Sequence, residues 1–257
     1  MTDQGLTDGQ GNVAHAACIK WGTRYGADYV TRLHSALKRN LTMPLHLVCY
    51  TDDPTGIPDE IECHPLPEIN LPEDVRWTPW RKISLWQSEL AGFNHGDDVL
   101  FLDLDLVITG PMDDFYTFAP GKVVAIENWT QVGQGIGNTT CYRWRVGENS
   151  FIYDDVQKNP DDVLSRYRIE QQYLSRELDE ILFWPKGWCL SFKHDLIPSF
   201  PMNWFKVPPL PADAKLIGFT GKPDPDDAVI GKWPEDKKWK RIYKKVLPTP
   251  WIDEHWQ

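Results

Sequence analysis

This sequence has no apolar stretch approaching the ~20 residues that cross a bilayer, and its N-terminus has neither the basic nor the apolar region of a secretory signal. A cytosolic location is the expectation. Its five cysteines (Cys18, Cys49, Cys63, Cys141, Cys189) are scattered and form no CxxC pair, which excludes a zinc ribbon or a disulfide frame and predicts reduced, mostly buried thiols. Basic residues are in deficit: 27 Lys and Arg stand against 37 Asp and Glu, a net charge of −10. Such a chain repels nucleic-acid phosphates and recruits cations, so no nucleic-acid partner is expected. There is no internal repeat, no low-complexity tract and no Walker lysine motif. The one glycine-rich candidate, GQGIGN (133–138), lacks the third glycine of the dinucleotide fingerprint and opens no evident helix.

What remains is the composition of an ordinary folded protein, 41% hydrophobic and 25% charged over 257 residues, enough for one large domain with a full core. Residues 1–12 read as a flexible leader, 13–230 as the folded body and 231–257 as a helical extension rich in Trp and Lys. Apolar runs at 13–21 and 45–50 read as strands, with a weaker one near Ile61 to Leu66. Between the first two, Tyr29, Leu33 and Leu37 recur every fourth residue, the helical spacing. TPWRKISLWQSELAGF (78–93) places Ile83, Trp86, Leu90 and Phe93 on one helical face. Further strands are expected at KVVAIEN, SFIYD and WCLSF, and one helix around DDVLSRYRIEQQYLSREL (161–178). Strands alternating with helices predict an α/β class: a single Rossmann-like domain with a mostly parallel central sheet and helices on both faces. Ligands of such sheets bind beyond the carboxyl ends of the strands.

The informative segment is VLFLDLDLVITG (99–110), where a buried-strand signature runs into two aspartates. In an extended chain Asp103 and Asp105 share one face while Leu102, Leu104 and Leu106 share the other. Two carboxylates at the rim of a buried sheet repel each other unless a cation neutralises them. Mg2+ or Mn2+ suits all-oxygen ligands and commonly bridges one or two carboxylates to substrate phosphates.

Two families share this local pattern. Haloacid-dehalogenase-like phosphatases use the first Asp of such a motif as nucleophile, but there it lies near the N-terminus. The fuller resemblance is to GT-A-fold nucleotide-sugar glycosyltransferases, especially the family 8 and glycogenin-like branch. CIKWGTRYGADYVTRLHSAL resembles the first strand and donor helix, LHLVCYTDD the second strand, WRKISLW the helix before the metal motif and VLFLDLDLVITGPMDDF the metal motif itself. GENSFIYD resembles that family's Asn-Ser strand and FTGKPDP its late Gly-Lys-Pro loop. Taken in order, these segments imply a GT-A domain over 13–230.

The resemblance implies a transferase that moves a sugar from a nucleoside diphosphate, a UDP-sugar, to the hydroxyl of a glycan, lipid-linked or small-molecule acceptor, with retention and in bacterial-type surface glycan synthesis. Asp103 and Asp105 would hold the metal, with Asp103 also near the ribose. Lys20, Thr23, Arg24, Tyr25 and Lys82 would face the donor, as would Asn149 and Ser150. Gly221 and Lys222 would approach the diphosphate, whose developing charge a metal and a lysine stabilise. Glu170 and Gln171, at a helix start, would lie near the anomeric carbon. The family's late-loop histidine is missing, replaced by Gly218, Phe219 and Thr220, so the third metal ligand would be water, a substrate oxygen or His194. A non-catalytic sugar-binding module with tryptophan platforms is the reading that needs no paired carboxylates. Finally, the C-terminal segment clusters lysines with Trp233, Trp239, Trp251 and Trp256, which suits peripheral contact with the inner face of a membrane.

Overall fold

The computed structural model describes residues 13–257, so the leader expected at 1–12 lies outside the described residues. The main sheet has seven strands in the order β3 (Glu62–Pro65), β2 (Leu45–Thr51), β1 (Ala14–Lys20), β4 (Asp98–Leu102), β7 (Gly137–Arg145), β6 (Val124–Glu127) and β8 (Leu182–Phe183). The first four run parallel; β7 is antiparallel to β4 and to β6. A smaller sheet orders β5 (Leu106–Ile108), β10 (Leu216–Gly218) and β9 (Cys189–Ser191), with β10 antiparallel to β5 and parallel to β9.

The period-2 pleat sorts the apolar side chains onto two faces. Ala16, Cys18, Leu47, Cys49, Leu100 and Leu102 pack with the helix Ala27–Asn40 and the smaller sheet. Ala17, Ile19, Val48, Tyr50, Val99 and Phe101 pack on the other side with Tyr142, Trp144 and the helices Phe151–Lys158, Pro160–Arg166 and Glu170–Glu177. Strands buried on both faces are apolar throughout, which is why they were legible as continuous runs. All five cysteines are free, three of them buried. No helix among the described residues is long and apolar enough to cross a membrane.

Several local expectations are corrected. SFIYD is not a strand: Phe151–Lys158 is helical, and Ile152 and Val156, one helical turn apart, are its buried pair. The helix expected over 161–178 is two helices, because Tyr167 and Ile169 adopt extended backbone between them. The helix expected over 78–93 is a 3-10 run confined to Pro79–Trp86, closed by the extended backbone of Gln87. The segment 231–257 is helical only at Lys238–Ile242, a 3-10 turn, and at Pro250–His255. It is also part of the main core, since Val246, Ile252 and Trp256 are buried with the helix Ala27–Asn40.

Candidate active site

Strand β1 lies between β2 and β4, so the chain leaves its carboxyl end in one direction and returns on the other side, the crevice where open α/β sheets bind ligands. Asp103 and Asp105 follow β4 at this rim. They occupy the short turn between β4 and β5, after the strand has ended at Leu102, and Leu102, Leu104 and Leu106 are buried together in the core behind them. The alternation expected of a strand therefore survives in the turn. Both carboxylates line an open cleft of about 240 Å³ together with Lys20, Arg24, Tyr25, Trp77 and Lys82.

Register explains why distant segments converge here. Antiparallel pairing brings the start of β7 beside the end of β4, and the Asp103 N–H donates to the Thr140 carbonyl at 2.9 Å. Pairing of β10 with β5 sets Gly218 opposite Leu106, so the following Phe219 N–H donates to the Asp105 carbonyl at 3.0 Å. Gly218 sits so close to Trp129 that a Cβ there would lie 2.6 Å from the indole. Backbone pairing thus draws the start of the late loop against the carboxylates.

The electrostatics divide into two linked networks. Lys82 is buried, and its ammonium sits 2.7 Å from Asp103 Oδ1 while donating to the Thr139 carbonyl at 3.0 Å. The Thr139 hydroxyl in turn donates to Glu170 Oε1 at 2.8 Å. Burial raises the proton affinity of Glu170 and of Asp103, against the pull of Lys82. On the other side, Tyr25 Oη donates to Asp105 Oδ2 at 2.9 Å and lies 3.4 Å from Asp224 Oδ1. Asp224 is buried and also binds Arg24, at 3.1 Å, and Lys222. Burial and the neighbouring Asp103 charge push the Asp105 carboxyl up to about 7. Asp105 thus has a neutral hydroxyl as its hydrogen-bond partner and a like charge beside it, an arrangement that a bound cation would relieve.

Of the residues expected to form a donor site, Arg24, Tyr25, Lys82, Asp103 and Asp105 meet in one cleft. Lys20 lines it too, its ammonium donating to the Asp53 carbonyl at 3.1 Å. Glu170 and Gln171 begin their helix beside this rim, Gln171 Oε1 accepting from Asn128 Nδ2 at 2.9 Å. Gly221, at φ +80, and Lys222 lie on the late loop, Lys222 drawn to Asp224. Thr23 is exposed and does not line the cleft. Asn149 and Ser150 are not brought to it. They follow the far end of β7, where Arg145 pairs with Asp98 at the start of β4, so they lie toward the opposite ends of the strands. The polar residues that do reach the rim are Asn138, Thr139 and Thr140, at the start of the same strand. His194 is exposed on the turn after β9, its backbone N–H donating to Ser191 Oγ.

Asp224, the acid of the FTGKPDP loop, has no site role in the sequence reading. In the fold, oxygens of Asp224, Asp226 and Asp227 approach within 4.8 Å of one another, with Lys222, Lys232 and Tyr29 engaging them. The donor set of the cleft, Asp103 and Asp105 with further carboxylate and hydroxyl oxygens near by, fits a hard divalent cation. The Thr220 hydroxyl, between Phe219 and Gly221, is buried with no hydrogen-bond partner, an oxygen whose lone pairs are unused.

No protein-family model and no curated protein sequence matches the chain. Solved structures do. Over 82% of its length the chain superposes on 88% of the galactosyltransferase LgtC, in complex with donor and acceptor sugar analogs, with a TM-score of 0.55 at 10% identity. It also matches the glycosyltransferase GlyE of Streptococcus pneumoniae TIGR4 (TM-score 0.53, 13% identity, 82% of this chain and 56% of that one). A third match is the bifunctional glycosyltransferase WbbM in its apo form (TM-score 0.54, 11% identity, 83% and 46%). At these identities the likeness establishes the architecture, and the chain has the GT-A glycosyltransferase fold.

Proposed function

We propose that this protein is a metal-dependent glycosyltransferase of the family 8 type, moving a sugar from a UDP-sugar to a hydroxyl of a glycan, lipid-linked or small-molecule acceptor. The observation that carries the reading is the pair of carboxylates, Asp103 and Asp105, in an open cleft at the carboxyl ends of parallel strands, with Lys82, Arg24 and Lys222 around them. Asp103 and Asp105 would hold Mn2+ or Mg2+, which when bound supplies positive charge to the departing diphosphate. Lys82 holds Asp103 in place, and Tyr25 orients Asp105 through its hydroxyl. Arg24 and Lys222 are the two exchangeable cations: both side chains are half exposed, and either can turn from Asp224 to a phosphate oxygen while the other stays paired with that buried carboxylate.

Transfer breaks the anomeric C–O bond, whose electron pair stays on the diphosphate, and forms a bond from the acceptor oxygen to the same carbon. The acceptor proton passes to a diphosphate oxygen, so retention needs no protein base. Glu170 is consistent with that role division, because it is buried against Thr139 and does not line the cleft. We place the reaction in bacterial-type surface glycan synthesis, on the cytoplasmic side, with the protein in peripheral contact with the membrane.

Thermal unfolding with Mn2+ tests the reading: UDP is expected to raise the melting temperature only when Mn2+ is present, and Asp105→Ala is expected to abolish the effect. Turnover of an aryl phosphate that is lost in Asp103→Asn, or sugar binding in EDTA without donor hydrolysis, would replace it with the phosphatase or lectin reading.

A further inference from the structure

The exposed apolar side chains of this protein are not scattered. Among the described residues, most of the large ones lie on just two segments, with Phe200, Met202, Trp204, Phe205 and Val207 on one and Trp239, Ile242 and Tyr243 on the other. The chain places these segments far apart, yet they form one surface. Asn203 Nδ2 donates to the carbonyls of Tyr243 and Lys245 at 2.8 and 3.0 Å, and the Trp204 indole donates to the Ile242 carbonyl at 2.8 Å. Asn203 itself is buried, so the junction is a built one. At its margin Lys245 Nζ lies 3.8 Å from the centre of the Trp204 ring.

The charge of this surface opposes that of the molecule. Residues 239–245 carry four lysines and arginines and no carboxylate, Lys244 being paired with Glu235, and Lys206 adds another cation from the first segment, on a chain with a net charge of −10. A protein that only needed solubility would not place Phe205, 77% exposed, and Trp239, 62% exposed, beside each other's segments. Aromatic rings flanked by lysines are what a headgroup region accepts, since the rings enter the interface and the ammonium groups stay at the phosphates. A second copy of this chain is a poorer occupant, because two such basic faces repel.

We propose that segments 200–207 and 239–245 together form one docking face for an anionic phospholipid bilayer. This deepens the peripheral-membrane part of the proposed function by moving the contact from the C-terminal tail to a composite surface. Of the tail tryptophans, Trp256 is buried and the Trp251 indole donates to the Pro208 carbonyl, so neither is available to lipid.

The test is sedimentation of the intact protein with vesicles of phosphatidylcholine alone or with 30% phosphatidylglycerol, which does not depend on transferase activity. Binding is expected only to the anionic vesicles and should fall at least ten-fold when NaCl is raised from 0.1 to 0.5 M, as the Debye length shortens. Phe205→Asp, Trp239→Ala and the pair Lys206→Glu with Arg241→Glu should each remove most binding, with unchanged circular dichroism. Val132→Asp, at an exposed apolar residue outside both segments, should bind as the parent does. Equal binding to neutral vesicles, loss of binding in Val132→Asp, or no vesicle binding together with a dimer in light scattering that Phe205→Asp dissociates would each overturn the proposal.

Discussion

Replacing Lys82 by methionine keeps the volume of the side chain and removes its charge. In the wild type the ammonium is buried, 2.7 Å from Asp103 and 3.0 Å from the Thr139 carbonyl. The variant leaves Asp103 without its counter-ion and Thr139 without a donor. Breaking a fully buried pair in this way costs about 3–5 kcal/mol. The Asp103 side chain keeps 23% exposure, so partial hydration reduces the expected loss to about 2–3 kcal/mol. For a chain of this size that corresponds to a fall in Tm of roughly 5–10 °C. Urea unfolding in EDTA at pH 7.5, followed by tryptophan fluorescence, measures it. Adding Asp103→Asn to the variant removes the stranded charge, so the double-mutant cycle should report a coupling of about 2 kcal/mol. Saturating Mn2+ should also shrink the Lys82→Met deficit, because the ion replaces the missing positive charge beside Asp103. A Lys82→Met protein within about 0.5 kcal/mol of wild type, or one equally destabilised with Asn at 103, would refute the view that this pair holds the site together.

Two further outcomes are expected. Asp105 has its carboxyl raised to about 7, so between its unfolded value of 3.8 and 7 the folded state binds more protons than the unfolded one. The stability this group contributes is therefore largest in acid and declines as pH rises through that window. Mn2+ must displace the same proton, so calorimetric affinity should be at least ten-fold weaker at pH 5.5 than at 7.5; equal affinities would show that Asp105 is not a ligand. Gly218→Ala should cost about 1–3 kcal/mol, since its methyl would meet the Trp129 ring. Unchanged thermal unfolding of that variant would mean that the indole moves aside freely.

The parts legible in the sequence are those governed by local periodicity. β1, β2, β4 and the helix after β1 were readable because strands buried on both faces are uninterrupted apolar runs, and because Tyr29, Leu33 and Leu37 repeat every fourth residue. Where local signals compete, they misled. SFIYD is too short to reveal a period, and the Ile152–Val156 spacing that marks its helix extends past it. β7, the longest strand, escaped notice because Arg143 interrupts its apolar pattern. In the fold that arginine is buried and donates to the carbonyls of Phe115, Phe118 and Ala119, a set of partners separated from it by more than twenty residues.

The candidate site shows the same division. Asp103 and Asp105 stood out because two acids closing an apolar run conflict with burial, and that conflict is visible in a dozen residues. Asp224 did not: its loop was marked by Gly221 and Lys222, but a role for the acid itself emerges only where Arg24, Tyr25 and Lys222 converge on it. Asn149 and Ser150 were placed at the site by likeness of letters, but an antiparallel strand delivers its first residues to the rim and carries its last away. The sequence by itself determined the class of fold, the faces of its central strands and the acid pair, all of which follow from burial and the 2.0 and 3.6 residue periods. Only the tertiary structure decided which strand direction, which late-loop acid and which surface aromatics came together, because pairing partners in space are chosen by the whole chain and leave no mark on any one stretch of it.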